Sequence, residues 1–275
     1  MDLIDDLRSQ LNREGLGAIA NELIHQSKEA VRMISVSARD ETLPLGASKL
    51  GGSPDLPPDL AWPEWKTKAL SFVAQVNLAE VPEAHMLPSS GLLSFFYDQE
   101  QRAWGYDPQH KGGFRLWYFP EIAALSRRQP PRGWGFPCAR PEFKQFLSLP
   151  DSSSLGDLIH ELEDDEIYYR FYDSYLPDQP RHQIFGWPRI IQNPMELECQ
   201  LASNGIYVGN PSGYKDPRRK ELEAGAEDWM LLLQIDSDEK TRMMWGDAGT
   251  LYVWIRYPDL SQAKFDAAWT VLQCF

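Results

Sequence analysis

Residues 70 to 78 read Leu-Ser-Phe-Val-Ala-Gln-Val-Asn-Leu, an apolar stretch with β-branched residues and with neither glycine nor proline. This pattern predicts a β-strand that is buried on both faces. Residues 91 to 97, Gly-Leu-Leu-Ser-Phe-Phe-Tyr, predict a second strand, and residues 115 to 119 predict a third after a turn at Gly112 and Gly113. We therefore expect a mostly antiparallel sheet in this half of the chain.

Three short segments of the first half recur in the second half in the same order. The pairs are Gly52-Ser53-Pro54 with Gly186-Trp187-Pro188, residues 72–77 (FVAQVN) with residues 231–236 (LLLQID), and residues 91–97 with residues 249–255. Gln75 precedes Gly91 by 16 residues, and Gln234 precedes Gly249 by 15 residues. Matching order and spacing indicate an internal duplication. We predict an α+β fold, rich in β-structure, in which both repeats contribute strands to one core.

Apolar residues at helical spacing predict helices at the two ends of the chain. Residues 3 to 24 predict two short amphipathic helices with a break at Gly15 and Gly17, and residues 31 to 42 alternate loosely, as in a strand. Asp259 is suited to cap a C-terminal helix. The expected apolar face of that helix consists of Phe265, Ala268, Trp269 and Leu272. We expect the N-terminal and C-terminal helices to pack on the sheet.

The expected elements divide the chain into an N-terminal helical extension, residues 1–40, and a single domain, residues 41–275. The two pseudo-repeats of this domain cover about residues 41–125 and about residues 180–275. Apolar spacing predicts short helices between them. A helical segment over about residues 140–170 is therefore expected to join the repeats.

Charge limits the classes of partner. The 275 residues include 27 lysines and arginines and 40 aspartates and glutamates, so the formal net charge is −13. Nucleic acids and anionic membrane surfaces attract lysine and arginine, so neither is an expected partner. The sequence lacks a run of about 18 apolar residues that could span a membrane. The acidic start Met-Asp-Leu-Ile-Asp-Asp is unlike a secretory signal, and we expect a cytoplasmic protein.

The patterns of common metal sites are incomplete. The segment from His160 to Asp164 begins like the helix of a zinc protease, but aspartate stands where the second histidine ligand is needed. Cys138, Cys199 and Cys274 lie far apart and form no Cys-x-x-Cys pair. We therefore expect buried free thiols and predict neither a metal site nor a cofactor.

Several unusual segments follow one another in a specific order. They are residues 48–57 (SKLGGSPDLP), 74–78 (AQVNL), 91–97 (GLLSFFY), 232–238 (LLQIDSD), 245–252 (WGDAGTLY) and 259–260 (DL). From about residue 40 onward, the chain resembles the YwqG-like family of bacterial proteins, a family of unknown function. The resemblance implies a duplicated, β-rich α+β domain in the cytoplasm and brings no catalytic residues. Some relatives are associated with bacterial toxin systems, which implies a binding or immunity role.

Three aspartates form the core of a candidate polar site. Asp236 and Asp238 lie at the end of one predicted strand and Asp247 lies just before the next, so a hairpin would bring their carboxylates to one end of the sheet. Such a group can bind a divalent cation or present acceptors to a cationic ligand. In the alternative interpretation, Asp236 and Asp247 cap turns by accepting hydrogen bonds from backbone N–H groups.

Four further residues complete the candidate ligand-binding set. His182 can face the same region as Arg189 and Gln192, and Trp245 stands two residues before Asp247. A histidine acts as a general acid or base only with an orienting partner, and without one it has a structural role.

These observations favour a non-enzymatic binding protein whose acidic surface engages a basic protein partner, in a role similar to that of a toxin-immunity protein. The alternative is a hydrolase or a small-ligand enzyme with an acidic site at the seam between the repeats.

Overall fold

The apolar stretches of this chain form the strands of one large sheet in the computed structural model, which describes residues 2–82, 85–131, 135–156, 158, 162, 166–175 and 180–275. The strands of these residues are β1 (Lys28–Ser37), β2 (Lys49–Leu50), β3 (Asp55–Leu56), β4 (Glu64–Trp65), β5 (Lys68–Ala69), β6 (Ser71–Asn77), β7 (Leu92–Tyr97), β8 (Phe114–Phe119), β9 (Ser126–Arg127), β10 (Ala139–Ser148), β11 (Gln183–Ile184), β12 (Trp229–Asp236), β13 (Thr250–Arg256) and β14 (Trp269–Gln273). The α-helices are α1 (Leu3–Arg13), α2 (Ala20–Gln26), α3 (Glu166–Tyr175), α4 (Glu196–Ser203), α5 (Arg219–Leu222) and α6 (Tyr257–Leu260).

A single ten-stranded sheet has the order β14-β13-β12-β11-β1-β10-β2-β6-β7-β8. Neighbouring strands in this sheet are antiparallel throughout. β3 pairs with β9 and β4 pairs with β5 in two small sheets. The prediction of an α+β fold, rich in β-structure and mostly antiparallel, is confirmed.

The strands predicted from local apolar patterns are confirmed. The predicted strands of the first half correspond to β6, β7 and β8, and the repeated segments of the second half correspond to β12 and β13. Every residue of β7 is buried, as expected for a strand that is covered on both faces. Short β-branched and aromatic stretches without glycine or proline therefore identified these strands correctly.

The predicted C-terminal helix is wrong. Residues Trp269–Gln273 form β14, which pairs with β13, and only the short α6 and a 3-10 turn at Phe265–Ala267 precede it. All five residues of β14 are buried. Their apolar spacing reflects burial on both faces of a strand, which the β-branched Thr270 and Val271 favour.

The helical segment predicted over about residues 140–170 is wrong in its first part. Residues Ala139–Ser148 form β10, whose ten residues pair with β1. Exposed and buried positions alternate at the start of this strand, which is the period of a sheet with one covered face. α3 begins at Glu166. His160, Asp164 and most of the expected helix before α3 lie outside the described residues.

The predicted N-terminal extension, residues 1–40, is helical only as far as Gln26. Leu7, Leu11 and Leu23 of α1 and α2 are buried in a cluster with Phe171 of α3. The next element, β1, lies in the middle of the large sheet between β11 and β10. The boundary expected at residue 40 therefore does not separate the extension from the domain.

The large sheet curls until its two edge strands face each other. The rings of Phe114 on β8 and Trp269 on β14 have centroids 5.4 Å apart. The indole N–H of Trp269 donates to the carbonyl of Gly105 at 2.8 Å, and the N–H of Leu272 donates to the carbonyl of Trp104 at 3.1 Å. One apolar core, which receives residues from both halves of the sheet, fills the enclosed space.

Gln75 on β6 and Gln234 on β12 have matching surroundings. The side-chain oxygen of Gln75 accepts a hydrogen bond from the N–H of Asp55 at 2.9 Å, and its amide nitrogen donates to the carbonyl of Ala47 at 2.8 Å. Gln234 makes the same pair of bonds, with the N–H of Arg189 and the carbonyl of Arg181, both at 2.9 Å. Each glutamine thus joins its strand to the residues that precede and follow the neighbouring strand, β2 or β11.

Candidate functional site

His182 lies at the centre of the predicted site, just before β11, and is fully buried. Its Nδ1 accepts a hydrogen bond from the N–H of Asp236 at 3.0 Å. This bond assigns the ring proton to Nε2, which lies 3.2 Å from Oδ2 of Asp238 and donates to it. Both nitrogens of His182 are therefore engaged within the protein.

The carboxylate of Asp236 is buried and accepts three hydrogen bonds. Its Oδ2 accepts from the N–H of Arg181 at 2.7 Å. Its Oδ1 accepts from the hydroxyl of Thr250 at 2.6 Å and from the amide of Gln234 at 3.3 Å. A buried carboxylate with this many donors is satisfied by the fold itself.

Asp238 starts the turn that follows β12. Burial alone would raise the pKa of Asp238, but hydrogen bonds from the His182 side chain and from the backbone N–H of Lys240 hold that pKa below its ordinary value. The N–H of Lys240 donates to Oδ1 at 2.8 Å, and the N–H and carbonyl of Asp238 pair with those of Met243. Asp238 is thus a turn cap. The alternative interpretation of the sequence had given this role to Asp236 and Asp247.

Asp247 lies apart from this buried pair. Its side chain is exposed in the turn before β13, and its carbonyl accepts a hydrogen bond from the N–H of Phe275 at 3.2 Å. The structure therefore gathers Asp236 and Asp238 around His182 and leaves Asp247 on the surface.

The three remaining predicted residues have separate surroundings. Arg189 pairs with Asp173, and its guanidinium lies 4.4 Å from the ring centre of Tyr172. Gln192 is exposed and donates to the carbonyl of Cys274 at 2.8 Å. The third residue, Trp245, is buried between Tyr97 and Phe136, with ring centres 5.8 Å and 5.6 Å away.

A cleft of about 730 Å³ opens beside the predicted site. Pro180 and residues of the β12–β13 connection line it, and we call the connection, residues 237–249, the hairpin loop. Met244 of this loop is 55% exposed, whereas Met243 is buried. Arg242 and Ala248 have positive φ angles of 54° and 49°, which side chains other than glycine adopt at a cost. The hairpin cleft thus has apolar and charged walls on a strained loop.

A buried cluster of charges in the first half was missed by the sequence patterns. Lys49 and Asp55 are fully buried, and the ammonium of Lys49 lies 2.9 Å from Oδ1 of Asp40 and 3.8 Å from Oδ2 of Asp55. Arg127 approaches Oδ1 of Asp55 at 2.9 Å. Burial opposes ionisation of Asp40, but the hydrogen bond from Lys49 holds its pKa below the ordinary value. The cluster pairs each positive charge with a carboxylate.

The charge cluster is signalled only by Lys49 and Asp55 inside the segment 48–57, whose glycines and prolines predict a loop. Its outer members, Asp40 and Arg127, line a second cleft of about 410 Å³, together with Cys138. Burial, and after it the charge of Asp40, raises the pKa of the Cys138 thiol to about 11. This thiol is therefore protonated at neutral pH and is a poor nucleophile.

A metal centre would require several ligands at one place. Within the described ranges, histidine, cysteine, aspartate and glutamate do not form a group of three or more that is arranged to hold a metal ion. None of the helices of these ranges has the length and apolar character needed to cross a bilayer.

The family model called "Domain of unknown function (DUF1963)" matches residues 48–274. The chain belongs to the DUF1963 family. The matched region includes residues that line both clefts. They are the hairpin loop at the first cleft, and Arg127 and Cys138 at the second. It begins after β1, although β1 lies in the middle of the sheet. No curated protein matches the chain.

Proposed function

We propose that this DUF1963 protein is a non-enzymatic, cytoplasmic binding protein whose hairpin cleft docks a basic protein partner. The observation that carries the proposal is the open cleft of about 730 Å³ beside the exposed Met244. Methionine is flexible and polarizable, and it is common on surfaces that accept other proteins. Glu239 lines the same cleft together with Lys240 and Arg242, so the cleft itself carries charges of both signs, and the attraction for a basic partner comes from the acidic chain as a whole.

The internal bonding of the predicted polar site supports binding over catalysis. His182, Asp236 and Asp238 donate to and accept from one another and from neighbouring backbone groups. A general base must reach a substrate proton, and a metal-binding carboxylate needs free oxygen atoms. These groups instead hold the hairpin loop in place beside the cleft.

The net charge of −13 supports a basic partner. A strongly acidic protein attracts basic partners over long range, raises the rate of association and disfavours acidic competitors. A basic toxin is one partner of this kind, and such a role agrees with the resemblance to the YwqG-like family, which we propose as the finer relationship.

We also infer that the two halves of the sheet descend from one duplicated unit. Gln75 bonds to Ala47 and Asp55, which lie two residues before and six residues after the first residue of β2. Gln234 bonds to Arg181 and Arg189, which lie at the same distances from the first residue of β11. This matching placement supports the inference. The register shifts of β6 and β12 also match, between Phe72 and Ala74 and between Leu231 and Leu233.

The binding proposal can be tested with synthetic peptides. Fluorescence anisotropy would compare a set of lysine- and arginine-rich peptides, each with two leucines, with a set in which glutamate replaces every basic residue. Met244→Gln replaces the apolar side chain at the cleft by a neutral polar one of similar size. Met86→Gln is the matched control, because Met86 is 42% exposed in the β6–β7 connection at the opposite ends of the strands.

We expect the basic peptides to bind and to lose affinity between about 50 mM and about 500 mM salt. Met244→Gln should weaken binding at least about tenfold, since a buried methionine side chain contributes about 1.5–3 kcal/mol. Met86→Gln should leave the affinity unchanged. Equal binding of the acidic set, an absence of binding, or equal effects of the two substitutions would contradict the proposal.

A further inference from the structure

The two edge strands of the large sheet differ in how they are covered. The edge of β14 is occupied, because the N–H of Leu272 donates to the carbonyl of Trp104 at 3.1 Å. The next residue, Gly105, follows the same edge so closely that a Cβ atom there would lie 2.7 Å from the carbonyl oxygen of Thr270. At the other edge, β8 pairs with β7 alone. An uncovered edge offers backbone donors and acceptors to another extended chain.

The pairing with β7 fixes which backbone groups of β8 point outward. The N–H of Asp98 donates to the carbonyl of Gly113 at 2.8 Å, and this pair continues the register of β7 and β8. In an antiparallel pair every second residue bonds to the neighbouring strand. The residues between them, Leu116 and Tyr118, therefore point their N–H and carbonyl groups away from β7. Within the described residues, these backbone groups have no hydrogen-bond partner on the outer side.

A cleft of about 440 Å³ lies along this edge. Residues 114–117 of β8 line one side of it, and Asp266 and Ala268 line the other. Its volume is within the range of about 300–1,000 Å³ that ligand clefts have. An added strand lies about 4.7–4.9 Å from its neighbour in the direction of the hydrogen bonds. The cleft thus provides space beside β8 for part of an extended chain.

The charges at this cleft favour an acidic occupant. Lys111 and Arg115 line it, and neither forms an ion pair with a carboxylate in the part of the chain that the structure describes. Arg115 donates instead to backbone carbonyls, among them that of Phe114 at 2.8 Å. Asp266 is the only carboxylate among the lining residues. The Debye length is about 8 Å at physiological salt, so these local charges outweigh the more distant acidic residues at contact.

We propose that the free edge of β8 binds an extended acidic segment of a partner protein as an added antiparallel strand. Side chains along a strand alternate between its faces, so Arg115 and Trp117 share one face and Leu116 lies on the other. The partner residue opposite Leu116 exchanges both backbone hydrogen bonds with it. The residue before it contacts Trp117, and the residue after it places a carboxylate beside Arg115. The preferred order in the partner is therefore apolar, any residue, acidic. This surface is separate from the hairpin cleft and the proposal does not depend on that cleft.

Fluorescence anisotropy with the full chain tests the proposal. The probe is a labelled peptide with blocked ends, Thr-Val-Thr-Glu-Val-Thr, which has the six-residue length of β8. In the expected register its third residue lies opposite Leu116. The first modified peptide carries an N-methyl group on this third residue, whose N–H faces β8. Its matched control carries the N-methyl group on the second residue, whose N–H faces away. A further peptide has lysine in place of glutamate.

Two protein variants remove the positive charges of the cleft, namely Lys111→Gln and Arg115→Gln. Lys144→Gln is the matched control, because Lys144 is exposed on β10 and three strands lie between β10 and β8 in the sheet. If Arg115→Gln does not fold, the modified peptides still test the edge with the unchanged protein.

We expect saturable binding of the parent peptide. N-methylation of its third residue should weaken binding at least about tenfold, because it removes a hydrogen bond and places a methyl group against the carbonyl of Leu116. N-methylation of the second residue should leave the affinity within about twofold. The lysine peptide, Lys111→Gln and Arg115→Gln should each weaken binding about two- to fivefold, as expected for an ion pair near the surface, and Lys144→Gln should not.

Three results would overturn the proposal: no binding of the parent peptide, equal affinities of the two N-methylated peptides, or a lysine peptide that binds as tightly as the parent. Sedimentation velocity of the free chain addresses the other possible occupant. A dimer that the parent peptide dissociates would assign the edge of β8 to a second copy of this chain, and the proposed partner would then be wrong.

Discussion

Glu198 on α4 provides a test of how burial controls the stability of this fold. Burial raises the pKa of its carboxyl group from 4.5 to about 7. The folded state therefore holds the Glu198 proton at pH values where the unfolded chain has released it. The stability that Glu198 contributes is complete below pH 4.5 and is lost as the pH rises through 7.

The magnitude follows from the size of the shift. Each pKa unit corresponds to about 1.36 kcal/mol, so the full penalty for ionising Glu198 in the folded state is about 3 kcal/mol. At about pH 5.5 only the first unit of this penalty has developed, and at about pH 8 nearly all of it has. Glu198→Gln removes the penalty. Its stabilising effect should therefore be about 2 kcal/mol larger at the higher pH than at the lower.

Urea unfolding followed by tryptophan fluorescence at the two pH values measures this difference. Glu221→Gln is the matched control, because it removes the same charge from an exposed position on α5. We expect Glu221→Gln to change the free energy of unfolding by nearly the same amount at both pH values. A Glu198→Gln effect that does not grow with pH would refute the reasoning, since it would mean that Glu198 ionises as freely in the folded protein as in the unfolded chain.

Three further substitutions, with two controls, address the buried polar groups. Lys49→Met leaves the carboxylates of Asp40 and Asp55 without their buried ammonium group and should destabilise the fold by about 3–5 kcal/mol. The control, Arg140→Met, breaks an exposed ion pair with Glu142 and should cost less than about 1 kcal/mol in the same urea titration. Gln75→Leu and Gln234→Leu each remove two hydrogen bonds to the backbone, and each should lower the free energy of unfolding by about 2–4 kcal/mol, in similar amounts. The control, Gln262→Leu, changes an exposed glutamine and should lower it little. A Lys49→Met variant as stable as wild type would contradict the expected role of the charge cluster, and unequal losses for the two glutamines would contradict their matching roles.

The sheet could be recognised from the sequence where its strands are marked by consecutive residues. β6 and β7 are continuous apolar stretches without glycine or proline, so the local pattern alone predicts them. β14 has an apolar spacing that fits a helix as well as a doubly buried strand. Only its pairing with β13, and the closure of the sheet against β8, decides between the two.

The candidate site could be predicted only in part. Asp236 and Asp238 do lie together, beside His182, but Asp247, which the hairpin was expected to bring to them, lies exposed on the surface. Their hydrogen bonds, however, depend on which backbone groups face them, and residue types do not record that. The charge cluster was missed because it joins Asp40, Lys49 and Asp55 to Arg127, which lies 72 residues beyond Asp55.

By itself, the sequence determined the α+β class, most of the long strands, the acidic character of the chain and the repeated segments of its halves. These properties depend on neighbouring residues or on composition, so they can be read locally. Tertiary structure alone decided that β1 and β10 form the middle of the sheet, that the candidate carboxylates serve as caps and acceptors, and that Lys49 and Arg127 meet two carboxylates in one cluster. Each of these depends on contacts between residues far apart in the chain, and such contacts form only when the whole sheet closes around its core.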